Sequence, residues 1–492
     1  MNVSIIRYIL GWVLRIEAVF LLLPCVTALI YRENVGIYYL AVSVICIIMG
    51  WLMSHKKPHN SLFLLKEGCV ATALSWIFLS LFGCIPLYIS GEIPSFTDAL
   101  FETISGFTTT GATILADIEA LSHTALIWRS FTHWIGGMGV LVFLLAIIPL
   151  SGGSHINLMR AESPGPSVGK LVPNIKTTAR LLYSIYFGFT VLEVILLVCG
   201  ACPLFDAVTI SFGTAGTGGF AIKNDSLTSY SPYIQWVVTI FMLLFGVNFN
   251  AYYFILFRKF KKAAGMEEVK AYFGIILASI IIIFLNIFKY AKPAGTLFRD
   301  AAFQVASIIT TTGYSTVDFD LWPETSKTII VLLMFIGACA GSTGGGIKVS
   351  RIVILLKTLS KEISSYIYPR SIKKIKMEGK TVAHDVVRST NVYFITYFII
   401  FSFSVLLISF EGKDAVTNFT AVATMINNVG PGLELVGPTC NFGIFNVFSK
   451  YILMFDMLAG RLELFPLLIL VHPNIIKSMV VCRKSNKRIK NV

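Results

Sequence analysis

Charged residues are scarce in this chain, and acidic residues are scarcer than basic ones. Only 13% of the 492 residues are charged, whereas about 25% is usual for soluble domains. Twenty-six Asp and Glu stand against 40 Lys and Arg, and 55% of the residues are hydrophobic. With a mean hydropathy of +0.77, this composition excludes an ordinary soluble domain and predicts a protein that crosses the membrane several times.

The residue types that build most catalytic and metal centres are also few or scattered. The nine Cys lie mostly within apolar runs, so no disulfide framework is implied, and the seven His form no ligand cluster. Cys199 and Cys202 have the spacing of a redox or metal pair but stand without partner ligands. No set of nucleophile, metal ligands or acid and base emerges, so the sequence predicts neither an enzyme nor an organic cofactor.

Long apolar runs are what the sequence has in abundance. Ten runs reach about 20 residues, the length that crosses a bilayer. They lie near residues 7–30, 37–54, 66–90, 122–150, 178–200, 232–257, 270–290, 325–357, 389–410 and 444–471. Arg15 and Glu17 interrupt the first run, and no convincing cleavage site follows it, so we expect a retained span rather than a signal peptide.

Lys and Arg gather in the segments on one side of these spans. The basic segments are residues 56–57, 170–180, 258–262, 348–380 and 483–490. Short basic loops face the cytoplasm, so we expect both termini there. The net charge of +14 then reflects topology and not nucleic-acid binding. The basic segments could dock a soluble partner or meet anionic membrane lipid.

Four short tracts rich in Gly, Thr or Asn recur along the chain, at residues 108–111, 214–220, 310–314 and 427–432. An Asp-Ala pair precedes each tract, and the spacing from Asp to the tract glycine is 13, 13, 13 and 16 residues. Asp at this place can cap a short helix and lie at the positive end of its dipole. The longer fourth spacing indicates either a longer helix or a displaced cap.

Backbone carbonyls of the four tracts are the candidate ligands of a dehydrated cation. Gly tolerates the unusual backbone angles that turn carbonyls toward an axis, and irregular backbone within lipid must be buried or line water. Carbonyl oxygens can replace the water shell of potassium. The eight candidates are Thr110, Gly111, Gly218, Gly219, Thr312, Gly313, Val429 and Gly430. These tracts are shorter and less regular than the TVGYG of potassium channels, so we expect fewer ordered sites and weaker discrimination against sodium.

A second constriction is predicted below these tracts. A helix over residues 325–336 would reach roughly 18 Å, near the bilayer centre, before glycines break it. The candidate gate comprises Gly341, Ser342, Thr343, Gly344, Gly345, Gly346, Lys348 and, in the last span, Arg461. Close helix packing through small residues is the alternative for the glycines; a phosphate loop fails because its Gly-Lys-Ser/Thr ending is absent. Arg461 could raise a barrier to cations, or form an ion pair with Asp456 or Glu463.

The four tracts, the segment Gly337-Ala-Cys-Ala-Gly-Ser-Thr-Gly-Gly-Gly-Ile-Lys348 and Gly460-Arg461-Leu462-Glu463 carry a resemblance. The chain resembles, over nearly its whole length, the TrkH family of bacterial potassium uptake subunits, within the Trk, Ktr and HKT superfamily. The resemblance implies a pseudo-tetrameric pore, a gating role for the glycine-rich loop, a homodimer and a cytoplasmic nucleotide-binding TrkA-type ring. In similar plant transporters a Ser in the first tract accompanies sodium transport, whereas Gly111 matches the potassium-permeable pattern.

We therefore expect an all-α polytopic protein of the bacterial plasma (inner) membrane. Residues 1–60 would form two N-terminal transmembrane helices, followed by four helix, pore-helix, helix repeats: 61–160, 161–265, 266–368 with the gate loop, and 369–492 with the basic tail. The expected function is potassium uptake through a gated, channel-like pore. The alternative is a symporter coupled to protons or sodium, for which Glu193, Asp456 and Glu463 are the candidate buried carboxylates.

Overall fold

A computed structural model describes residues 1–58, 63–139, 175–290, 292–370 and 374–477. Within those ranges the chain is helical apart from irregular segments and one small antiparallel hairpin, Lys376–Met377 (β1) and Lys380–Thr381 (β2). The expected all-α membrane fold is thus confirmed with one minor exception. The end of the fourth predicted span, the first part of the basic segment 170–180, the basic tail, and the predicted boundaries at 60/61 and 160/161 lie outside the described residues.

An N-terminal helical hairpin precedes the rest of the fold. Helices α1 (Val3–Phe20) and α2 (Leu22–Tyr31) together form one candidate span, and α3 (Gly36–Ser54) forms the next. A methyl group placed on Gly11 would come within 2.8 Å of the carbonyl oxygen of Gly50. The two helices therefore pack backbone to backbone, as small residues permit within membranes.

The same order of elements then occurs four times: a long helix, a short helix, an irregular tract and a further helix. The first group has α4 (Leu65–Ile89), α5 (Phe96–Phe107) and α6 (His123–Met138). The second has α7 (Ile175–Cys199), α8 (Leu204–Gly216), α9 (Pro232–Phe245), α10 (Phe249–Leu256) and α11 (Phe260–Ala264). The third has α12 (Glu267–Ile287), α13 (Ala294–Ile309), α14 (Glu324–Ile336) and α15 (Val349–Ile367). The fourth has α16 (His384–Ser409), α17 (Ala415–Asn427), α18 (Val447–Arg461) and α19 (Phe465–Val471).

The helices before and after the tracts differ in continuity. In the described residues, six of the ten predicted spans are long and apolar enough to cross a membrane: the first, made of α1 and α2, and the single helices α3, α4, α7, α12 and α16. Three of the predicted spans that follow the tracts are interrupted instead. A 91° bend separates α9 from α10, residues 337–348 separate α14 from α15, and residues 462–464 separate α18 from α19. The helix α6 ends at Met138, one residue before the described segment ends.

Burial is inverted relative to a soluble protein. Polar tract residues such as Thr109 and Thr311 are fully buried, whereas large apolar side chains on the outer helices are exposed, among them Ile37, Leu285 and Ile399. An apolar exterior of this extent is suited to lipid and not to water. A route across the membrane is therefore expected to run through the polar centre of the fold.

Candidate ion pathway

The four short helices α5, α8, α13 and α17 end in one shared backbone conformation. The residue two places before each tract glycine has a positive φ, and so does the glycine itself. The preceding residues are Thr109 (57°), Thr217 (53°), Thr311 (58°) and Asn428 (54°). The glycines are Gly111 (77°), Gly219 (77°), Gly313 (83°) and Gly430 (100°). Positive φ is uncommon outside glycine, so its recurrence at four equivalent places indicates one structural role.

The amide group between these two positions closes each helix in the same way. It donates to the carbonyl oxygen five residues earlier, as in a Schellman cap. The four bonds run from Thr110 to Ser105 (2.9 Å), Gly218 to Gly213 (2.9 Å), Thr312 to Ser307 (2.8 Å) and Val429 to Thr424 (2.9 Å). Each cap ends its helix and redirects the following tract.

The four tracts meet in a closed ring, which we call the tract ring (residues 109–111, 217–219, 311–313 and 428–430). A methyl group placed on each glycine would collide with a carbonyl oxygen of the next tract in cyclic order. The separations would be 2.0 Å from Gly111 to Gly218, 1.9 Å from Gly219 to Thr312, 2.2 Å from Gly313 to Val429 and 2.7 Å from Gly430 to Thr110. The structure therefore brings all eight predicted carbonyl residues together, and it explains why glycine is required at the four positions.

Polar side chains behind the tract ring join neighbouring groups. Nδ1 of His133 lies 2.8 Å from the carbonyl oxygen of Gly106, and its Nε2 accepts the amide hydrogen of Phe220 at 3.2 Å. The side-chain amide of Asn428 donates through Nδ2 to Oγ1 of Thr110 at 2.9 Å. The hydroxyl of Tyr314 donates to the carbonyl oxygen of Phe220 at 3.3 Å. Sequence reasoning missed these contacts, since their partners are 27 to 318 residues apart.

A buried ion pair supports the backbone that follows the first tract. Glu102 of α5 pairs with Arg129 of α6 at 2.7 Å, and its carboxylate also accepts from the hydroxyl of Thr113 and the amide of Ile114. The guanidinium of Arg129 lies 4.2 Å from the ring centre of Phe220. Because the loss of one partner of a buried ion pair leaves the other charge uncompensated, this pair holds α5, α6 and the backbone after the first tract in one arrangement.

The predicted capping role of the four Asp residues is right at one site only. Asp414 is the N-cap of α17 and accepts from the amide of Thr417 at 2.8 Å. Asp98 and Asp206 are instead the third residues of α5 and α8, and Asp300 lies in the second turn of α13. The prediction is wrong at these three sites because the helices begin earlier, after a Ser or Pro N-cap.

The longer fourth spacing follows from the position of Asp414. Helix α17 has 13 residues, as α8 has, so the fourth short helix is not extended. Asp414 precedes its helix, whereas Asp98 and Asp206 lie three positions further in. Of the two interpretations left open by the sequence, the displaced cap is correct. Hydrogen bonds from Thr417 lower the pKa of Asp414 below its usual value.

The glycine-rich segment lies directly against the tract ring. Helix α14 ends at Ile336, as predicted, and residues 337–348 form what we call the central loop. The amide of Gly345 donates to Oγ1 of Thr311 at 2.6 Å, and a methyl group on Gly345 would lie 2.5 Å from the carbonyl oxygen of Asn427. The Lys348 ammonium donates to the carbonyl oxygen of Gly344. The loop thus contacts the third and fourth tracts directly.

Arg461 connects this loop to the first group. Its guanidinium donates to the carbonyl oxygen of Thr343 at 3.0 Å, to that of Gly137 at 2.9 Å, and to that of Gly136. The two carboxylates considered as its ion-pair partners bind elsewhere: Asp456 accepts from Ser404 at 2.7 Å, and Glu463 pairs with Arg351.

Comparison with known proteins identifies the family to which this chain belongs. A family model described as "TrkH: Cation transport protein" matches residues 38–477. The chain belongs to the TrkH family. It is 34% identical to the Trk system potassium uptake protein TrkH of Salmonella typhimurium, covering 96% of this chain and 99% of that protein. It is 33% identical to the protein of that name from Escherichia coli, with the same coverage.

A solved structure supports the TrkH fold independently. The crystal structure of the potassium transporter TrkH from Vibrio parahaemolyticus superposes with a TM-score of 0.86 at 32% identity, covering 96% of this chain and 99% of that one. The resemblance inferred from the tracts, the glycine-rich segment and Arg461 is therefore confirmed. In this TrkH family member the three candidate coupling carboxylates, Glu193, Asp456 and Glu463, are all buried.

Proposed function

We propose that this protein takes up potassium across the bacterial plasma membrane through a gated, channel-like pore. The observation that carries the proposal is the tract ring, in which four helix ends contribute backbone to one closed constriction. The relatives' names, which describe Trk system potassium uptake proteins, support potassium as the transported ion.

The selectivity filter in this proposal consists of the backbone carbonyls of the eight predicted tract residues. Carbonyl oxygens replace the hydration shell of potassium while binding weakly enough to release it. The four short helices point their C-terminal ends at the ring, where the negative end of each helix dipole favours a cation. Glycine at position 111, rather than serine, fits a potassium-permeable filter.

The gate in this proposal is the central loop, with Gly341 to Gly346 and Lys348, together with Arg461. The loop closes the axis below the filter, and the guanidinium of Arg461 adds a positive charge near the membrane centre, where charge is costly and usually functional. Because Arg461 also donates a hydrogen bond to Thr343 of the central loop, the same side chain would hold the loop in place and repel cations.

The proposed setting is a homodimer in the inner membrane with both termini in the cytoplasm. The four pore repeats would follow the boundaries predicted above. The basic residues of the segment 258–262, which lie between α10 and α11 and in α11, would face the cytoplasm, where anionic lipid and a TrkA-type nucleotide-binding ring are available. Regulation by nucleotide would then belong to that partner and not to this chain.

Flux into liposomes tests the proposal. Purified protein is reconstituted with a potassium gradient as the sole driving force, and the membrane potential is followed with a voltage-sensitive dye. A channel produces a potential that follows the potassium gradient at constant pH and without sodium. If potassium moves only when a proton or sodium gradient is supplied, the symporter is correct and the channel proposal is wrong.

A further inference from the structure

The central loop contacts a second helix break, which lies in the neighbouring group. The amide of Cys339 donates to the carbonyl oxygen of Gly246 at 3.1 Å, and the amide of Phe249 donates to that of Gly341 at 3.0 Å. These partners flank the 91° bend between α9 and α10. Backbone groups that each helix releases at its break are thus satisfied by the other break, which is how irregular backbone is tolerated at membrane depth.

One carboxylate joins both breaks. Glu268, the second residue of α12, is 3% exposed. Its Oε1 accepts from the amide of Ala340 at 2.6 Å and from the amide of Ser350 at 3.1 Å, and its Oε2 accepts from Nδ2 of Asn248 at 3.2 Å. Ala340 lies before the glycine-rich part of the loop and Ser350 lies just after the loop, so the carboxylate holds the two ends of the obstructing segment together.

We propose that Glu268 is the positioning residue of the gate: its carboxylate locks the central loop in its closed position and against the bend of the second group. The inference rests on the proposed gating role of that loop. Hydrogen bonds to a charged acceptor are stronger than neutral ones, and a buried amide left without its acceptor is costly. Loss of the carboxylate therefore favours loop positions in which these amides reach water.

The sequence contains a reporter of the loop's position. Cys339 lies in the loop and is fully buried, while Cys46 on α3 is equally buried but lies in the N-terminal hairpin. Alkylation by a membrane-permeant maleimide, measured for each cysteine by peptide mass spectrometry, distinguishes movement of the loop from loosening of the whole protein. The measurement needs no transport, so it tests the lock even if the proposed function fails.

The experiment compares the full-length wild type with Glu268→Ala, Glu268→Gln and Glu17→Ala. Glu17 is a matched control because it is a fully buried acid on α1, outside the four groups. We expect Glu268→Ala to raise both Cys339 alkylation and potassium flux at least tenfold, because the loss of even one of its three charge-assisted hydrogen bonds corresponds to about that change, with Cys46 alkylation unchanged. Glu268→Gln, whose amide oxygen can still accept from the backbone amides of Ala340 and Ser350 but carries no charge, should fall between Glu268→Ala and the wild type.

Two results would overturn the proposal. In the first, Glu268→Ala has the same Cys339 alkylation as Glu17→Ala. In the second, Cys339 and Cys46 become reactive together, so that Glu268 merely stabilises the fold. If the wild type carries no potassium but Cys339 alone becomes reactive in Glu268→Ala, the loop lock holds and the transport function is what fails.

Discussion

The guanidinium of Arg461 donates to the carbonyl oxygen of Thr343 at 3.0 Å. This bond spans 118 residues of sequence and joins the end of α18 to the middle of the central loop. Further bonds to Gly136 and Gly137 extend the connection to the end of α6. A single cation therefore links three of the four groups.

Neutralising Arg461 should increase potassium flux. In Arg461→Ala both the positive charge and the bond to the loop are lost, so we expect a rise of roughly tenfold, consistent with removal of a charge-assisted hydrogen bond. Arg461→Lys keeps the positive charge but cannot form the same set of hydrogen bonds. Its flux therefore shows whether the charge or the hydrogen bonds to the loop limit potassium flow. Liposome flux is the measurement, and unchanged flux in folded Arg461→Ala would contradict a gating role.

Replacing a tract glycine should impair the filter. In Gly219→Ala the new methyl group would lie 1.9 Å from the carbonyl oxygen of Thr312, a distance that forces one of the two tracts to move. We expect potassium flux to fall at least tenfold, since this displaces a ligand of the proposed filter. Gly188→Ala on α7 is the control, because nothing lies within 4 Å of its added methyl group; equal flux in the two variants would argue against the filter assignment.

The sequence predicted the tract glycines and the end of α14 because these features are local. Glycine needs no distant partner to adopt a positive φ, and a cluster of glycines ends a helix wherever it occurs. The helix starts were predicted less well, because Pro203 and Pro293 also serve as N-caps and let the helix begin before the Asp. Contacts such as that between His133 and Phe220 depend on which helices become neighbours, and no local signal reports that.

The bond between Asn428 and Thr110 should contribute to ion selectivity. It ties the fourth tract to the first at 2.9 Å, so its loss allows the ring to relax around a smaller ion. We expect Thr110→Val to lower the ratio of potassium to sodium flux several-fold, while Thr110→Ser, which keeps the hydroxyl, preserves it. The double variant with Asn428→Ala should be no worse than the more impaired single variant, because both substitutions break the same bond between Asn428 and Thr110. Additive losses in the double variant would show that the bond itself does not set selectivity.

The N-cap of α17 gives the fold a defined dependence on pH. Hydrogen bonds from Thr417 lower the pKa of Asp414 below its ordinary value of 3.8. The folded form therefore binds this proton less readily than the unfolded chain does, so the stabilisation is complete above 3.8 and is lost as the pH falls through the lowered pKa. We expect Asp414→Ala to reduce stability by about 1 kcal/mol at neutral pH.

Thermal melting in detergent at about pH 7 and about pH 3 measures this contribution. The difference in melting temperature between the wild type and Asp414→Ala should be present at neutral pH and shrink in acid, because the protonated carboxyl is a weaker acceptor for the amide of Thr417. Asp414→Asn is the matched control, since Asn also caps helices well but does not titrate. The melting temperature of Asp414→Asn should therefore exceed that of Asp414→Ala by the same amount at both pH values. A wild-type advantage that persists undiminished in acid would mean that the ionised cap of α17 is not what stabilises this helix.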